Sequence, residues 1–428
     1  RYFAYAPVFL HEAPIRRVLL VCYGVGTTAD AITNLQSVES IDVVEISRDI
    51  IAMSDLVYLP DEHPLRDRRV RLHVEDGRYF LQTTGDRFDL ITGEPPPPLT
   101  PGTVSLYTRE YFQLMHDRLA DGGIATYWLP VARDVGADMV TIIRAFCDVF
   151  PECSLWNGTP SDLMLVGIRG TPRRLSEEHF AQPWTQAVLG TRLREAGFEV
   201  PEQIGATFVG DAAFLSRLAA GSAALVDDYP YRLWLHRSEV SPDDPRALLD
   251  RGGADYERAW IAPARARVDF EQSPFIRRLW PESLVTRTLP YFEIQRSINR
   301  ILWEGANPMR HPEDLHAALT RTSLRTLPAW MLGLGSLLFQ EPGAESVDDG
   351  TGRAEYLRGL RALVSRDYAS AVTDLAHADR RGLGGVRPLL AYALCLAGRP
   401  AEAKQLVPAP LPDHSDLRHF WTWLKESF

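Results

Sequence analysis

The sequence predicts an α/β domain, a mostly parallel sheet covered by helices and ending in an antiparallel hairpin, followed by an α-helical region. Three observations carry that prediction. Residues 1–170 alternate short apolar runs with helical patterns, the run Val18 to Thr28 (VLLVCYGVGTT) stops at a glycine-rich turn, and a hexad recurs near the C-terminus.

Strands are expected at 17–23, 41–46, 70–74, 87–93, 123–129, 153–156 and 163–168, and helices at 27–36, 48–57, 78–83, 108–119 and 136–149. Alternation with short connections implies a parallel sheet with helices on both faces and ligands bound outside the carboxyl ends of its strands. Only Asn157-Gly158-Thr159-Pro160-Ser161-Asp162 separates the last two strands, a turn cluster that makes them a hairpin. Such an edge suits a Rossmann-like methyltransferase sheet better than a dehydrogenase sheet, which is parallel throughout.

The strand ends carry the candidate site. Five apolar residues running into Gly24-x-Gly26 suit a buried strand that must turn sharply and let its backbone approach a ligand. Glu45 ends the next apolar run 21 residues beyond Gly24, about the spacing at which a second-strand carboxylate reaches ribose hydroxyls. After the third strand comes Glu75-Asp76-Gly77-Arg78, where Asp76 either accepts from an adenine amino group or caps a helix, and can do both. After the fourth comes Gly93-Glu94 and four prolines, whose fixed φ leaves Glu94 little freedom to turn from the cleft; the bland alternative is an exposed proline loop. Tyr107 and Trp128 follow, aromatics that are more often core than site but would also wall a sulfonium ligand.

Composition narrows the field. At 428 residues the chain exceeds one ordinary domain of about 100–200 residues, so two or three are expected. With 45% apolar and 24% charged residues and no apolar run near the ~20 needed to cross a bilayer, it reads as soluble and globular. A net charge of −10 argues against a nucleic-acid partner, and Lys404 and Lys425, the only lysines, leave none for Schiff-base or Walker-type chemistry. Cys22, Cys147, Cys153 and Cys395 show no CxxC spacing and are expected to be buried thiols in a reducing compartment. The eleven histidines form no ligand pair, His414 and His419 suiting a solvated helix face, so no metal is expected.

Beyond residue 170 helical patches are expected at Ser176 to Ala181, Ala212 to Ala220 and Tyr291 to Leu302. Arg366-Asp367-Tyr368-Ala369-Ser370-Ala371 recurs as Gly398-Arg399-Pro400-Ala401-Glu402-Ala403, an offset of 32, near the ~34 of tetratricopeptide repeats. These repeats read equally as a protein-docking groove or as a structural cap. Three regions follow: 1–170, a nucleoside-binding catalytic domain; 171–345, a mostly helical extension; and 346–428, tetratricopeptide-like repeats.

The motifs VLLVCYGVGTT, VVEIS, VEDGRYFL, RFDLITGEPPPP, LYTREYF and DGGIATYWLP, in that order, with LVDDYPYRL at 225–233, resemble the catalytic domain of spermidine synthase and related aminopropyltransferases. That resemblance implies a class I S-adenosylmethionine-dependent methyltransferase fold. It places Gly24, Gly26, Glu45 and Asp76 on the nucleoside and Glu94 on the first catalytic-loop acid; Thr27 and Gly77 are also expected at the nucleoside and Tyr107 at the chemistry. It departs from the family at Val25, where an Asp usually holds the aminopropyl ammonium, and at Pro97, where a second acid usually stands; the N-terminal β-hairpin domain is also absent before Val18.

The expected function is transfer of an alkyl group, aminopropyl or methyl, from S-adenosylmethionine or its decarboxylated form to an amine-like small-molecule acceptor. The alternative is a non-catalytic nucleoside-binding scaffold that recruits a protein through the repeats. A homo-oligomer is expected, in the cytoplasm. Because the chain starts at Arg1 and some bacterial relatives join a multi-spanning membrane region to such a domain, a membrane segment upstream of Arg1 is also an expectation.

Overall fold

A computed structural model of the chain describes residues 1–98, 101–130, 136–159, 162–196, 198, 200–228, 263–292, 350–364, 367–384, 386–411 and 418–427. They fall into two compact units, residues 1–193 with 200–292, and residues 194–199 with 293–428. Arg366, His414, Tyr229 to Leu233 and the part of the expected Tyr291 to Leu302 helix beyond residue 292 lie outside the described residues.

In the first unit the described strands form one sheet: β1 (Arg17–Val21), β2 (Ser40–Val44), β3 (Val70–His73), β4 (Phe88–Gly93), β5 (Leu119–Leu129), β6 (Ser154–Thr159), β7 (Asp162–Ile168) and β8 (Phe208–Asp211). Their order is β3-β2-β1-β4-β5-β7-β6-β8. The first five are parallel, and β7, β6 and β8 pair antiparallel. This is the Rossmann-like methyltransferase sheet expected from the sequence. β1 lies in its middle with Val18, Leu19 and Leu20 fully buried, which is why the strand reads as a continuous apolar run. The order of strands reverses between β1 and β4, and a crevice opens at such a point beyond the strands' carboxyl ends.

Helices α1 (Tyr2–Leu10), α2 (Thr27–Thr33), α3 (Arg48–Val57), α4 (Gly77–Thr83), α5 (Pro101–Val104), α6 (Arg109–Arg118) and α7 (Gly136–Val149) fill the connections. Side-chain caps start three of them: Ser47 accepts from the Ile50 N–H, Asp76 from Tyr79 and Thr108 from Tyr111. Aromatic rings lock α6 and α7 to the sheet. Phe112 meets Tyr127 edge-on at 5.0 Å and Phe146 at 5.0 Å, and Tyr107 meets Tyr127 at 5.4 Å.

Three features depart from the sequence reading. Helix α1, YFAYAPVFL, was not expected; nearly all of it is buried, so it lacks the polar face whose period would have marked it. The hairpin β6–β7 is antiparallel as expected, but β8 covers its outer strand, and four residues with a central Gly210 give too short a pattern to read. Cys147 and Cys153 form a disulfide instead of being thiols. The end of α7 and the turn before β6 bring their Cα atoms to 5.4 Å, and the argument from cysteine usage to a reducing compartment lapses with that pairing. Cys22 and Cys395 are thiols. The described part of the 171–345 extension, with helices at Glu177–Ala181, Ala187–Glu195, Pro201–Gly205, Ala212–Leu218, Pro263–Gln272, Pro274–Leu279 and Glu282–Thr288, largely clusters with the sheet.

The second unit contains helices Arg353–Val364, Tyr368–Arg380, Val386–Leu396, Pro400–Gln405 and Arg418–Ser427. Ala371 and Ala403, the last residues of the recurring hexads, are both fully buried in its core. Among the described residues no helix is long and apolar enough to cross a membrane.

Helix α4 begins at a glycine because β1 leaves no room there: a Cβ on Gly77 would lie 2.5 Å from Val21 Cγ1. Gly77→Ala is expected to cost about 1–3 kcal/mol of stability through overpacking. Adding Val21→Ala, which removes the obstructing methyl, should restore part of the loss. Thermal melting of both variants checks this, and a Gly77→Ala protein that melts like wild type would show the contact to be slack.

Candidate active site

The strand tips converge. Val21 pairs with Val44 and with Gly93, and Val44 with His73, so Cys22, Glu45 and Glu94, each one residue further on, stand side by side above β1, β2 and β4. Backbone bonds extend the register past the strands: the Cys22 N–H donates to Val44 O at 2.9 Å, and that of Glu45 to His73 O at 3.0 Å. Burial, then the charges of Glu45, Asp76 and Glu94, push the Cys22 thiol up to about 12. Glu45, Asp76 and Glu94, read separately from the sequence, all follow the carboxyl ends of β2, β3 and β4.

The glycine turn has the conformation its residues allow. Gly24 and Gly26 have φ of +56° and +80°, and Cys22 also has a positive φ, 69°, which is uncommon for a residue with a side chain. A Cβ at Gly24 would meet nothing within 4 Å, so that face is open to a ligand approaching the backbone. Gly26 is closed on its other side, where a Cβ would lie 2.4 Å from the Tyr23 hydroxyl. That hydroxyl bonds Ser54 Oγ at 2.7 Å, and Ser54 bonds His63 Nε2 at 2.9 Å. His63 Nδ1 accepts from the Leu65 N–H at 3.2 Å, which leaves Nε2 as the protonated nitrogen that donates to Ser54. This brace was not seen in the sequence, because its members carry no motif and Tyr23 lies 31 residues before Ser54. Thr27 opens α2.

Glu45 is 7% exposed and holds the turn from the side. One carboxylate oxygen accepts from the Tyr23 N–H at 2.9 Å and the other from the Ser47 N–H at 2.9 Å. Each oxygen has a second lone pair for a ribose hydroxyl. Beside it Ile46 is 68% exposed, an apolar surface at the cleft that the sequence reading passed over although it directly follows the acid. Asp76 caps α4 with one oxygen at 2.9 Å from the Tyr79 N–H, which leaves the other oxygen outside that bond.

Glu94 leads the proline loop, with its N–H 3.4 Å from Val21 O and a carboxylate oxygen that accepts the hydroxyl of Thr28 in the first turn of α2. The acid loop is thereby tied to the glycine turn. Tyr107 is fully buried, and its hydroxyl donates to the carbonyls of Pro95 at 3.0 Å and Pro96 at 3.2 Å. Burial keeps that phenol far above its ordinary range. As placed, it positions the loop behind Glu94 and does not itself face the cleft. Val25, at the tip of the turn, is 67% exposed. Among the described residues no group of three or more His, Cys, Asp or Glu side chains is placed to hold a metal.

Because Glu45 satisfies two backbone N–H groups, its loss is felt without any ligand. Glu45→Ala is expected to lower the unfolding free energy of the free protein by about 1–3 kcal/mol, the cost of orphaned buried donors. Denaturant unfolding measures this, and an unchanged midpoint would mean that water replaces the carboxylate at no cost.

Residues 2–143 match the family model described as the spermine/spermidine synthase domain. The polyamine aminopropyltransferase of Alkaliphilus oremlandii is 27% identical over 185 residues, 42% of this chain and 64% of that protein. Polyamine aminopropyltransferase 1 of Pseudomonas aeruginosa is 34% identical over 122 residues, 28% of this chain and 42% of that protein. The chain thus spans less than two thirds of these relatives. A spermidine synthase structure from Thermotoga maritima is 20% identical, with a TM-score of 0.33, over 39% of this chain and 57% of that one. Residues 2–143 are accordingly similar to the spermine/spermidine synthase domain, on a sheet whose order and pairing are those of the methyltransferase fold.

Proposed function

We propose that the chain binds S-adenosylmethionine or its decarboxylated form and transfers an alkyl group, aminopropyl or methyl, to an amine-like acceptor. The observation that carries this reading is the placement of Glu45, Asp76 and Glu94 just past the carboxyl ends of β2, β3 and β4, beside an open glycine turn at the reversal of the sheet. The donor set fits such a nucleoside: a second-strand acid for ribose hydroxyls, an exposed acid for the adenine amino group, and a turn whose Gly24 face a ligand can approach. Similarity to polyamine aminopropyltransferases favours the aminopropyl branch, while Val25 leaves that branch without an acid at the turn.

When bound, the sulfonium supplies a carbon already attached to a good leaving group. Glu45 and the turn hold the nucleoside, so that carbon is presented at a fixed place. Glu94 attracts the acceptor amine and takes the proton that the nitrogen sheds as its lone pair forms the new C–N bond; the C–S electrons remain on sulfur. Tyr107 and Thr28 keep Glu94 aimed while this happens, one through the proline carbonyls and the other through the carboxylate itself.

A second reading keeps the nucleoside and drops the chemistry. Pro97 provides no second acid, and Thr28 already occupies one Glu94 oxygen, both compatible with a binding scaffold. Under that reading the helix pairs of the second unit, with Ala371 and Ala403 buried at corresponding hexad positions, would be a tetratricopeptide-like surface for a protein partner.

Incubation with each form of the co-substrate and a diamine separates the two. The transferase should release methylthioadenosine or S-adenosylhomocysteine, and Glu94→Gln should cut the rate by ~10²–10⁴ while leaving co-substrate affinity nearly unchanged. Full activity in Glu94→Gln removes Glu94 from the chemistry. Tight nucleoside binding with no product from wild type favours the scaffold.

A further inference from the structure

The segment Leu225–Asp227 joins two parts of the site that are far apart in the chain. The carbonyl of Leu225 accepts from the Arg109 N–H at 2.8 Å, and its own N–H donates to Thr141 O at 3.2 Å. The N–H of Asp227 donates to Glu110 Oε2 at 3.0 Å. Its carboxylate then takes three side-chain donors. Oδ1 accepts from Thr108 Oγ1 at 2.7 Å and from Arg78 Nη1 at 2.8 Å, and Oδ2 accepts from Arg78 Nη2, a two-point pair. Arg78 also donates to the Ser105 carbonyl at 2.9 Å.

What these partners adjoin gives the contact its meaning. Arg78 lies in the first turn of α4, two residues after Asp76 on the nucleoside side. Thr108 follows Tyr107, whose hydroxyl holds the proline loop behind Glu94. Burial alone would raise the Asp227 carboxyl, but Arg78 and Thr108 more than offset it and leave it below the usual carboxylate range.

We propose that Asp227 is a positioning residue for the transfer: by clasping Arg78 and Thr108 together it sets the separation between the nucleoside side of the cleft, at Asp76, and the acid loop, at Glu94. This rests on the transferase reading given above. The side chains of Arg78 and Asp227 are 18% and 36% exposed, so water reaches both groups when the pair is broken. A small displacement of one reacting group relative to another, by contrast, can cost ~10²-fold in rate. The effect therefore belongs in turnover.

The test compares wild type, Asp227→Ala and Asp227→Asn in three measurements: thermal melting, methylthioadenosine affinity by calorimetry, and turnover of a diamine at saturating co-substrate. Asp227→Ala should melt within a few degrees of wild type and bind methylthioadenosine within about threefold, because Glu45 and the turn are untouched, yet lose at least about tenfold in kcat. Asp227→Asn retains an oxygen acceptor and should recover much of that rate. An Asp227→Ala kcat equal to wild type, or one lowered only in proportion to a lost folded fraction, overturns the inference and leaves the transferase reading intact. Wild type that binds no methylthioadenosine, or makes no product, overturns the transferase reading and this inference with it.

Discussion

The site depends on one carboxylate and two backbone donors. Glu45 bridges the N–H of Tyr23, at the start of the glycine turn, and that of Ser47, where β2 hands over to α3. A turn with positive φ at Cys22, Gly24 and Gly26 exposes backbone groups and has few contacts of its own, so its shape must be imposed from outside. Glu45 imposes it from one side and the Tyr23–Ser54–His63 chain from beneath. The same carboxylate is the group expected to receive ribose hydroxyls. On the proposed reading support and recognition share one residue, so neither can be removed alone.

The acid loop is fixed by a different means. Four prolines limit its φ angles, but stiffness does not aim a side chain; the Tyr107 hydroxyl on two proline carbonyls and Thr28 on the Glu94 carboxylate do that. Tyr107 is in turn held by Tyr127, and Tyr127 by Phe112, so the position of Glu94 is referred back through rings to the middle of the sheet. This explains how a loop at the rim can hold a group accurately. It also shows why an aromatic read from the sequence as a candidate for chemistry serves as a support.

What was legible in the sequence was local. Gly24, Gly26, Glu45 and Glu94 each follow an apolar run at a strand's carboxyl end and Asp76 follows the mixed strand β3, and the parallel fold turns that shared address into nearness in space. The strands of residues 1–170 were legible for the same reason, since buried parallel strands announce themselves as apolar runs. Contacts that skip elements left no trace: Tyr23 to Ser54 in the brace under the turn spans 31 residues, and Arg78 to Asp227 spans 149. Helix α1 was hidden by being apolar on every face, β8 by its four residues, and the Cys147–Cys153 pair by a spacing of six that belongs to no motif.

The central claim is that the carboxylate shaping the turn also receives the nucleoside. A crystal structure of the chain with methylthioadenosine tests it most directly. Both ribose hydroxyls are expected at hydrogen-bond distance from Glu45, about 2.5–3.0 Å, with the adenine amino group on Asp76 and the thioether facing Glu94. Methylthioadenosine seated elsewhere, or lying over the turn with its ribose out of reach of Glu45, would contradict it.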